Sequence, residues 1–178
     1  MTDTNRDAAE TFKALQEKLA SATDWRDCLP EAIKYFSENM PLVLMESPYG
    51  ADDPETLAAN IAYAKAAFRD MVNRGEIPFA SHLKYTQDGL LDDDDPAQRT
   101  LGIAAGLAEG MLTKKTAVYI DRGFSGGMLM GIKESLKVER PVELRSLNTD
   151  DPQSALEAAR KDLLEQLGEM AQSVKVAV

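Results

Sequence analysis

Apolar residues recur along the chain in two rhythms, and their alternation sets the expected fold. Between Ala8 and Ala20, Phe12, Leu15 and Leu19 recur at spacings of three and four, the stripe of an amphipathic helix. Thr23-Asp24 reads as the cap of a second helix whose apolar face would hold Trp25, Cys28, Leu29, Ile33 and Phe36, with Trp25 as a packing anchor. Pro30 either interrupts that helix or starts a new turn. Leu42-Val43-Leu44-Met45 is then continuously apolar, as a central strand covered on both faces should be. Asp52, Asp53 and Pro54 open a long helix carrying Leu57, Ile61, Ala64, Phe68 and Met71 on one face and stopped by Gly75.

Ile77 to Leu83 reads as a second strand, with Pro78 near its start, where no ladder donor is needed. Pro96 begins a helix that should bury Ile103, Leu107, Met111 and Leu112, and its small residues Gly102, Ala105, Gly106 and Gly110 predict close packing on the sheet. Thr116 to Ile120 is β-branched or aromatic at most positions and reads as a third strand. Met128, Leu129, Ile132 and Leu136 mark the next helix, Val142 to Leu147 a fourth strand, and Asp150-Asp151-Pro152 the cap of a last helix with Leu156, Leu163, Leu164 and Leu167 inside. Strands alternating with helices at this spacing predict an α/β fold, a parallel sheet of four to five strands with helices on both faces. Residues 1–40 are expected to be a helical extension covering one face of the domain or a partner subunit, and 41–178 the α/β domain with its C-terminal helix.

The third strand leads into the most suggestive stretch. Asp121 ends the apolar run, Gly123 permits a sharp turn, and Ser125 stands where a helix N-cap belongs, with Gly126, Gly127 and Met128 behind it. A strand, a glycine turn and a helix N-terminus together form an anion site, because the first helical N–H groups lack partners and the dipole favours negative charge. An ordinary strand–turn–helix joint with a serine cap has the same residues.

Composition narrows the partners. A formal charge of −10 and a pI of about 4.6 argue against nucleic acid polymers and anionic membranes. One cysteine, Cys28, excludes an internal disulfide and a cysteine-based zinc cluster, and one histidine, His82, leaves little for a histidine-rich metal site; no metal or other cofactor is expected. The polar stretch from Met1 to Glu10 is not a signal peptide, no apolar run approaches the ~20 residues a membrane helix needs, and a cytoplasmic location is expected. The acidic run Asp92 to Asp95 reads as solvated loop plus helix N-terminal charge.

In a parallel sheet of this kind the ligand crevice lies beyond the carboxyl ends of the strands. Three loops leave those ends with chemical groups: Glu46-Ser47-Pro48-Tyr49-Gly50, Ser81 to Tyr85 with His82, and Asp121 to Gly127. They should converge on one face, bringing together a backbone phosphate cradle, hydroxyls, carboxylates and the sole imidazole.

An apolar strand ending in a Tyr-Gly loop, a strand ending near His82, and Asp-x-Gly-x-Ser-x-Gly-Met after a third strand resemble the nucleoside 2-deoxyribosyltransferase-like domains, above all the small members carried by bacteriophages and bacteria. The resemblance covers Leu42 to Leu147. It implies a flavodoxin-like Rossmann variant that binds nucleosides or nucleotides, acts on the N-glycosidic bond and assembles as a homodimer or larger. It also implies that Glu46 to Gly50 lie against sugar and base, and that Ser125 with Gly126 and Gly127 holds a phosphate or sugar hydroxyl. Asp121 matches the aspartate that follows the family's third strand. The family's catalytic glutamate, a nucleophile toward the anomeric carbon, falls six residues after Ser125, where this chain has Gly131. Glu134 is one turn further on, on another side of the helix. Glu46, leaving a strand directly into the crevice, is the carboxylate able to substitute; otherwise it caps a helix or pairs with Arg122. His82 is a catalytic candidate or a hydrogen-bonded core residue. Two functions follow: a hydrolase or transferase at a nucleoside or nucleotide, with Glu46, Asp121 and His82 as its reactive groups, or a catalytically silent protein, such as a phage protein that sequesters or senses a nucleotide.

Overall fold

The computed structural model describes residues 3–148 and 150–177, with side chains from Glu10 onward. Met1 and Thr2 of the expected helical extension lie outside these residues, as do Thr149 and Val178. The element order is α1 (Asp3–Ser21), a 3₁₀ turn, α2 (Leu29–Asn39), β1 (Leu42–Glu46), α3 (Pro54–Asn73), β2 (Ile77–Phe79), α4 (Ser81–Lys84), α5 (Pro96–Gly110), β3 (Lys115–Tyr119), α6 (Gly126–Lys137), β4 (Val142–Arg145), α7 (Pro152–Leu167), a second 3₁₀ turn and β5 (Lys175–Val176). All five strands are parallel, in the order β2-β1-β3-β4-β5. This is the doubly wound α/β arrangement, and its switch point lies between β1 and β3, where successive connections leave in opposite directions.

Three helices begin with the same dipeptide. Asp53, Asp95 and Asp151 each precede a proline, and each carboxylate accepts a hydrogen bond from a backbone amide in the first turn: Thr56 at 2.7 Å, Ala97 at 2.8 Å and Ser154 at 3.1 Å. Aspartate satisfies an otherwise orphaned donor, and proline places its missing N–H where the helix has no use for one. Strand alternation then divides the core. Val43, Met45, Ala117 and Tyr119 pack against Ala64, Ala67 and Met71 of α3 on one face. Val118, Ile120, Val142 and Leu144 meet Met128 and Ile132 of α6 and Leu156 and Leu163 of α7 on the other.

The sheet face that α3 covers also carries charge. Arg145, only 1% exposed, donates to both carboxylate oxygens of Glu76 at 2.6 and 2.7 Å and to Glu143 at 2.7 Å, while Lys115 reaches Glu76 at 2.7 Å. Burial works to raise the Glu76 pKa, but the bonds from Arg145 and Lys115 together outweigh it and hold the carboxyl below its usual range.

Several sequence expectations are corrected. The second strand stops at Phe79, and Ser81–Lys84 turns into a short helix, because α5 packs onto Ser81 so closely that a Cβ at Gly106 would lie 2.5 Å from the Ser81 Cβ. The fourth strand ends at Arg145 rather than Leu147. Trp25 is 64% exposed and anchors nothing; Leu29 and Ile33 are exposed too, and the first helices instead pack through Phe12, Tyr35 and Phe36, with the Phe12 and Tyr35 rings stacked at 5.7 Å. Pro30 sits in the first turn of α2. Met111 and Leu112 follow α5 in a turn and are exposed, whereas Ile103 and Leu107 face a cavity. No helix among the described residues is long and apolar enough to cross a membrane.

Candidate functional site

A cavity of about 590 Å³ opens beyond the carboxyl ends of β1 and β2, walled by the β1–α3 loop, α4, α5 and the start of α6. Its lining includes Glu46, Ser47, Tyr49, Gly50, Ser81, His82, Ser125, Gly126, Gly127 and Met128. Apolar surface comes from Leu44, Leu91, Ile103, Leu107 and Met130. An outer hollow of about 940 Å³ shares Tyr49, Gly50, Thr86, Gln98 and Arg99 with it and is rimmed by Asp52, Asp88, Asp92 and Asp94.

Glu46 is the last residue of β1, and alternation turns its side chain toward α6 rather than α3. There it fills the space left by Gly131. A Cβ built on Gly131 would stand 2.6 Å from the Glu46 carboxyl carbon and 3.1 Å from Oε2. The carboxyl group therefore reaches, from a strand, the spot where a residue on α6 would have started its own side chain. Burial pushes the Glu46 pKa up to about 8, against an opposing pull from Arg140. It neither caps a helix nor pairs with Arg122, whose Nε donates to Asn60 Oδ1 at 2.7 Å.

Opposite Glu46, Ser47 Oγ and His82 Nε2 share a hydrogen bond of 2.9 Å, and the Tyr49 ring meets the imidazole edge-on at 6.0 Å. Burial pushes the His82 pKa down to about 4, so the ring is neutral at physiological pH and offers hydrogen bonds rather than charge. The close fit of Gly106 on Ser81 fixes where α4 presents this ring. Ser125 caps α6 by accepting from the Met128 amide at 3.2 Å, while a Cβ at Gly126 would meet open space.

Asp121 and Gly123 are absent from the cavity lining. The Asp121 carboxylate is held instead by Tyr63, which donates its hydroxyl at 2.8 Å, by the Leu147 amide at 2.7 Å, and by the Ser146 hydroxyl. It ties α3 to the segment after β4. Gly123, at φ +77, makes the turn that reverses the chain into α6. Sequence reasoning overlooked Asn60. Buried on α3, it donates to the Tyr49 carbonyl at 2.9 Å and accepts from Arg122, stapling the loop after β1 to the loop after β3. The signal was a lone amide on an otherwise apolar helix face. Among the described residues, no group of three or more His, Cys, Asp or Glu side chains is placed to hold a metal ion.

A family described as Domain of unknown function (DUF7768) matches residues 41–145. No curated protein matches the chain. Among solved structures, a 2-deoxyribosyltransferase from the psychrotolerant bacterium Bacillus psychrosaccharolyticus aligns over 61% of this chain and 74% of its own, at 17% identity and a TM-score of 0.44. A conserved protein from Enterococcus faecalis V583 aligns over 78% of this chain and 91% of its own, at 11% identity and a TM-score of 0.49.

Proposed function

The chain belongs to the family described as a domain of unknown function (DUF7768), and for this member we propose that the cavity binds a nucleoside or nucleotide and that Glu46 acts at its N-glycosidic bond. The observation that carries this reading is the Glu46 carboxyl in the space beside Gly131. The sequence resemblance expects a carboxylate at that position on α6, and the chain delivers one from β1. Apolar walls suit a base and sugar, and the α6 N-terminus beside Ser125, Gly126 and Gly127 suits the ligand's most anionic part. Ser47, Tyr49 and His82 offer uncharged hydrogen-bonding groups on the other wall.

In hydrolysis, the ionised Glu46 takes a proton from water as the water oxygen bonds to the anomeric carbon. The C–N pair leaves with the base, and the proton is returned to the base nitrogen, so the net change is addition of water across that bond. A desolvated carboxylate is a stronger base than a solvated one, which is what a pKa near 8 provides. The exposed Trp25, Leu29 and Ile33 extend the proposal to a homo-oligomer assembled partly through residues 1–40; sedimentation at 19.5 kDa would refute that part.

The test is incubation with a panel of nucleosides and nucleotides, followed by chromatography for free base. Release of base by the wild type and its loss in Glu46→Gln supports the enzyme. Tight binding without release from any ligand leaves the silent nucleotide-binding protein as the reading.

A further inference from the structure

Next to Glu46 lies a buried polar layer that the chemistry above leaves unused. After α6 the chain turns through Glu139, at φ +55, in the left-handed region. The turn lets the Arg140 amide donate to the Ser135 carbonyl at 2.9 Å and brings the Arg140 side chain back along the helix. Ser135 and Thr116 are fully buried, with their hydroxyl oxygens 2.9 Å apart. Ser135 donates its single proton to the Gly131 carbonyl at 2.8 Å. Its oxygen must therefore accept from both neighbours: from Thr116, and from Arg140 Nη1 at 3.2 Å. Arg140 Nη1 also lies 3.5 Å from Thr116 Oγ1, and a Cβ at Gly110 would stand 3.4 Å from it, so α5 closes over the guanidinium.

This layer therefore grips the residue against which the Glu46 carboxyl packs. Among the described residues, neither Arg140 nor Glu46 has a counter-ion within bonding distance, and each is the one charged group acting on the other. We propose that Arg140 is a positioning residue for Glu46: seated by Ser135 and Thr116, it keeps the carboxyl against Gly131 and supplies the counter-charge for its ionised form, without touching the ligand. The placement stands on the Arg140–Ser135–Gly131 bonds and on the packing of Glu46 against Gly131, the electrostatic link on the opposing pull of Arg140 on the Glu46 carboxyl, and the consequence for turnover on the function proposed above.

Other elements near Glu46 bring no competing charge. His82 of α4 is neutral, Tyr49 and Tyr85 add phenols to the cavity wall, and α6 presents Met128 and Gly131. Arg99 of α5 is paired with Asp93 at the outer end. Removing Arg140 therefore removes the counter-charge, together with its bonds to Ser135 and Thr116.

The Glu46 carboxyl can be followed by ¹³C NMR across pH, its signal assigned by its loss in Glu46→Gln. In Arg140→Met the titration midpoint should rise by roughly one unit, the size expected for a nearby opposite charge, and Arg140→Lys should restore most of the shift. Ser135→Ala, which unseats the guanidinium while leaving its charge, should move the midpoint the same way by less. An unchanged midpoint in a folded Arg140→Met protein overturns the proposal. If that variant does not fold, an unchanged midpoint in Ser135→Ala does so. Neither reading needs turnover, so failure of the base-release assay and failure of this proposal are separate results.

Discussion

The Glu46 carboxyl carbon lies 2.6 Å from the point where a Cβ on Gly131 would stand, so the two positions cannot both carry an undisturbed side chain. The atoms in the way are the far end of a flexible side chain, so the fold should survive Gly131→Ala while Glu46 is expelled. Its titration midpoint should then fall from about 8 toward the ordinary glutamate range as the carboxyl meets water, and any base-releasing activity should drop with it. NMR titration beside a thermal melt checks both parts. An unmoved midpoint would mean that the alanine is accommodated by α6 instead.

Glu46 and His82 pull stability in opposite directions with pH. The folded chain holds the Glu46 proton up to about pH 8, whereas the unfolded chain releases it near 4.5. Between those values the folded state binds more protons, so stability falls as pH rises and the full cost of Glu46 is felt above pH 8. His82, with its pKa lowered from 6.5 to about 4, contributes stability that is present above 6.5 and lost as pH falls through 4. Glu46→Gln should therefore stabilise the protein at pH 9 by about 2–4 kcal/mol more than at pH 4.5, as measured by urea unfolding. The same effect at both pH values would show that the carboxyl is not desolvated. If catalysis uses the ionised form, base release should climb with pH and level off above about 8.

At Gly106 a methyl group has no room, because the Ser81 Cβ would be 2.5 Å away and its Oγ 2.8 Å away. Gly106→Ala should cost about 1–3 kcal/mol and tilt α4. The chain has a single histidine, so one imidazole resonance reports directly on whether the Ser47–His82 bond is disturbed.

Gly126 gives the contrasting case, since a side chain there enters open space beside the α6 N-terminus. Gly126→Leu should weaken phosphorylated ligands by tenfold or more while leaving free nucleosides nearly unaffected. Calorimetric titration with matched nucleoside and monophosphate pairs decides it. Equal losses would place the phosphate elsewhere.

Arg145→Met should be among the most destabilising substitutions, by about 3–5 kcal/mol, because it leaves Glu76 buried with Lys115 alone. Replacing Glu76 and Arg145 together by apolar residues should cost less than Arg145→Met alone. A double-mutant cycle in denaturant tests this.

What the sequence announced, it announced through local chemistry. β1 was legible because a strand buried on both faces holds an unbroken apolar run, β3 because it is β-branched or aromatic at most positions, and the three Asp-Pro helix starts because capping is a matter of neighbouring residues. The loops meeting at the cavity were legible because a parallel sheet sends its strand ends to one side. Long-range contacts stayed hidden. Nothing near Ser81 in sequence says that Gly106 will press on it and end a strand. Tyr63, 58 residues away in sequence, claims the carboxylate of Asp121, a residue that reads as a free catalytic group. β5, two residues long, is held by backbone pairing to β4, and the short alternation Val174-Lys175-Val176-Ala177 that marks it was passed over. Trp25, Met111 and Leu112 look like core and lie outside, because no described element covers them.

Glu46 rides on the central sheet, while Ser125, Gly126 and Gly127 stand at the start of α6, so the proposed reactive group and the proposed anion grip belong to two bodies that meet across a layer of Val118, Met128, Ile132 and Leu144. A carboxylate borne on α6 would keep a fixed distance from that grip however the helix shifted. Here the distance is set by how thick that hydrophobic layer is. Enlarging Val118, the β3 partner of Glu46 in the sheet, by a methylene would lift the grip away from the carboxylate, making this buried valine a spacer that gauges the reach between them.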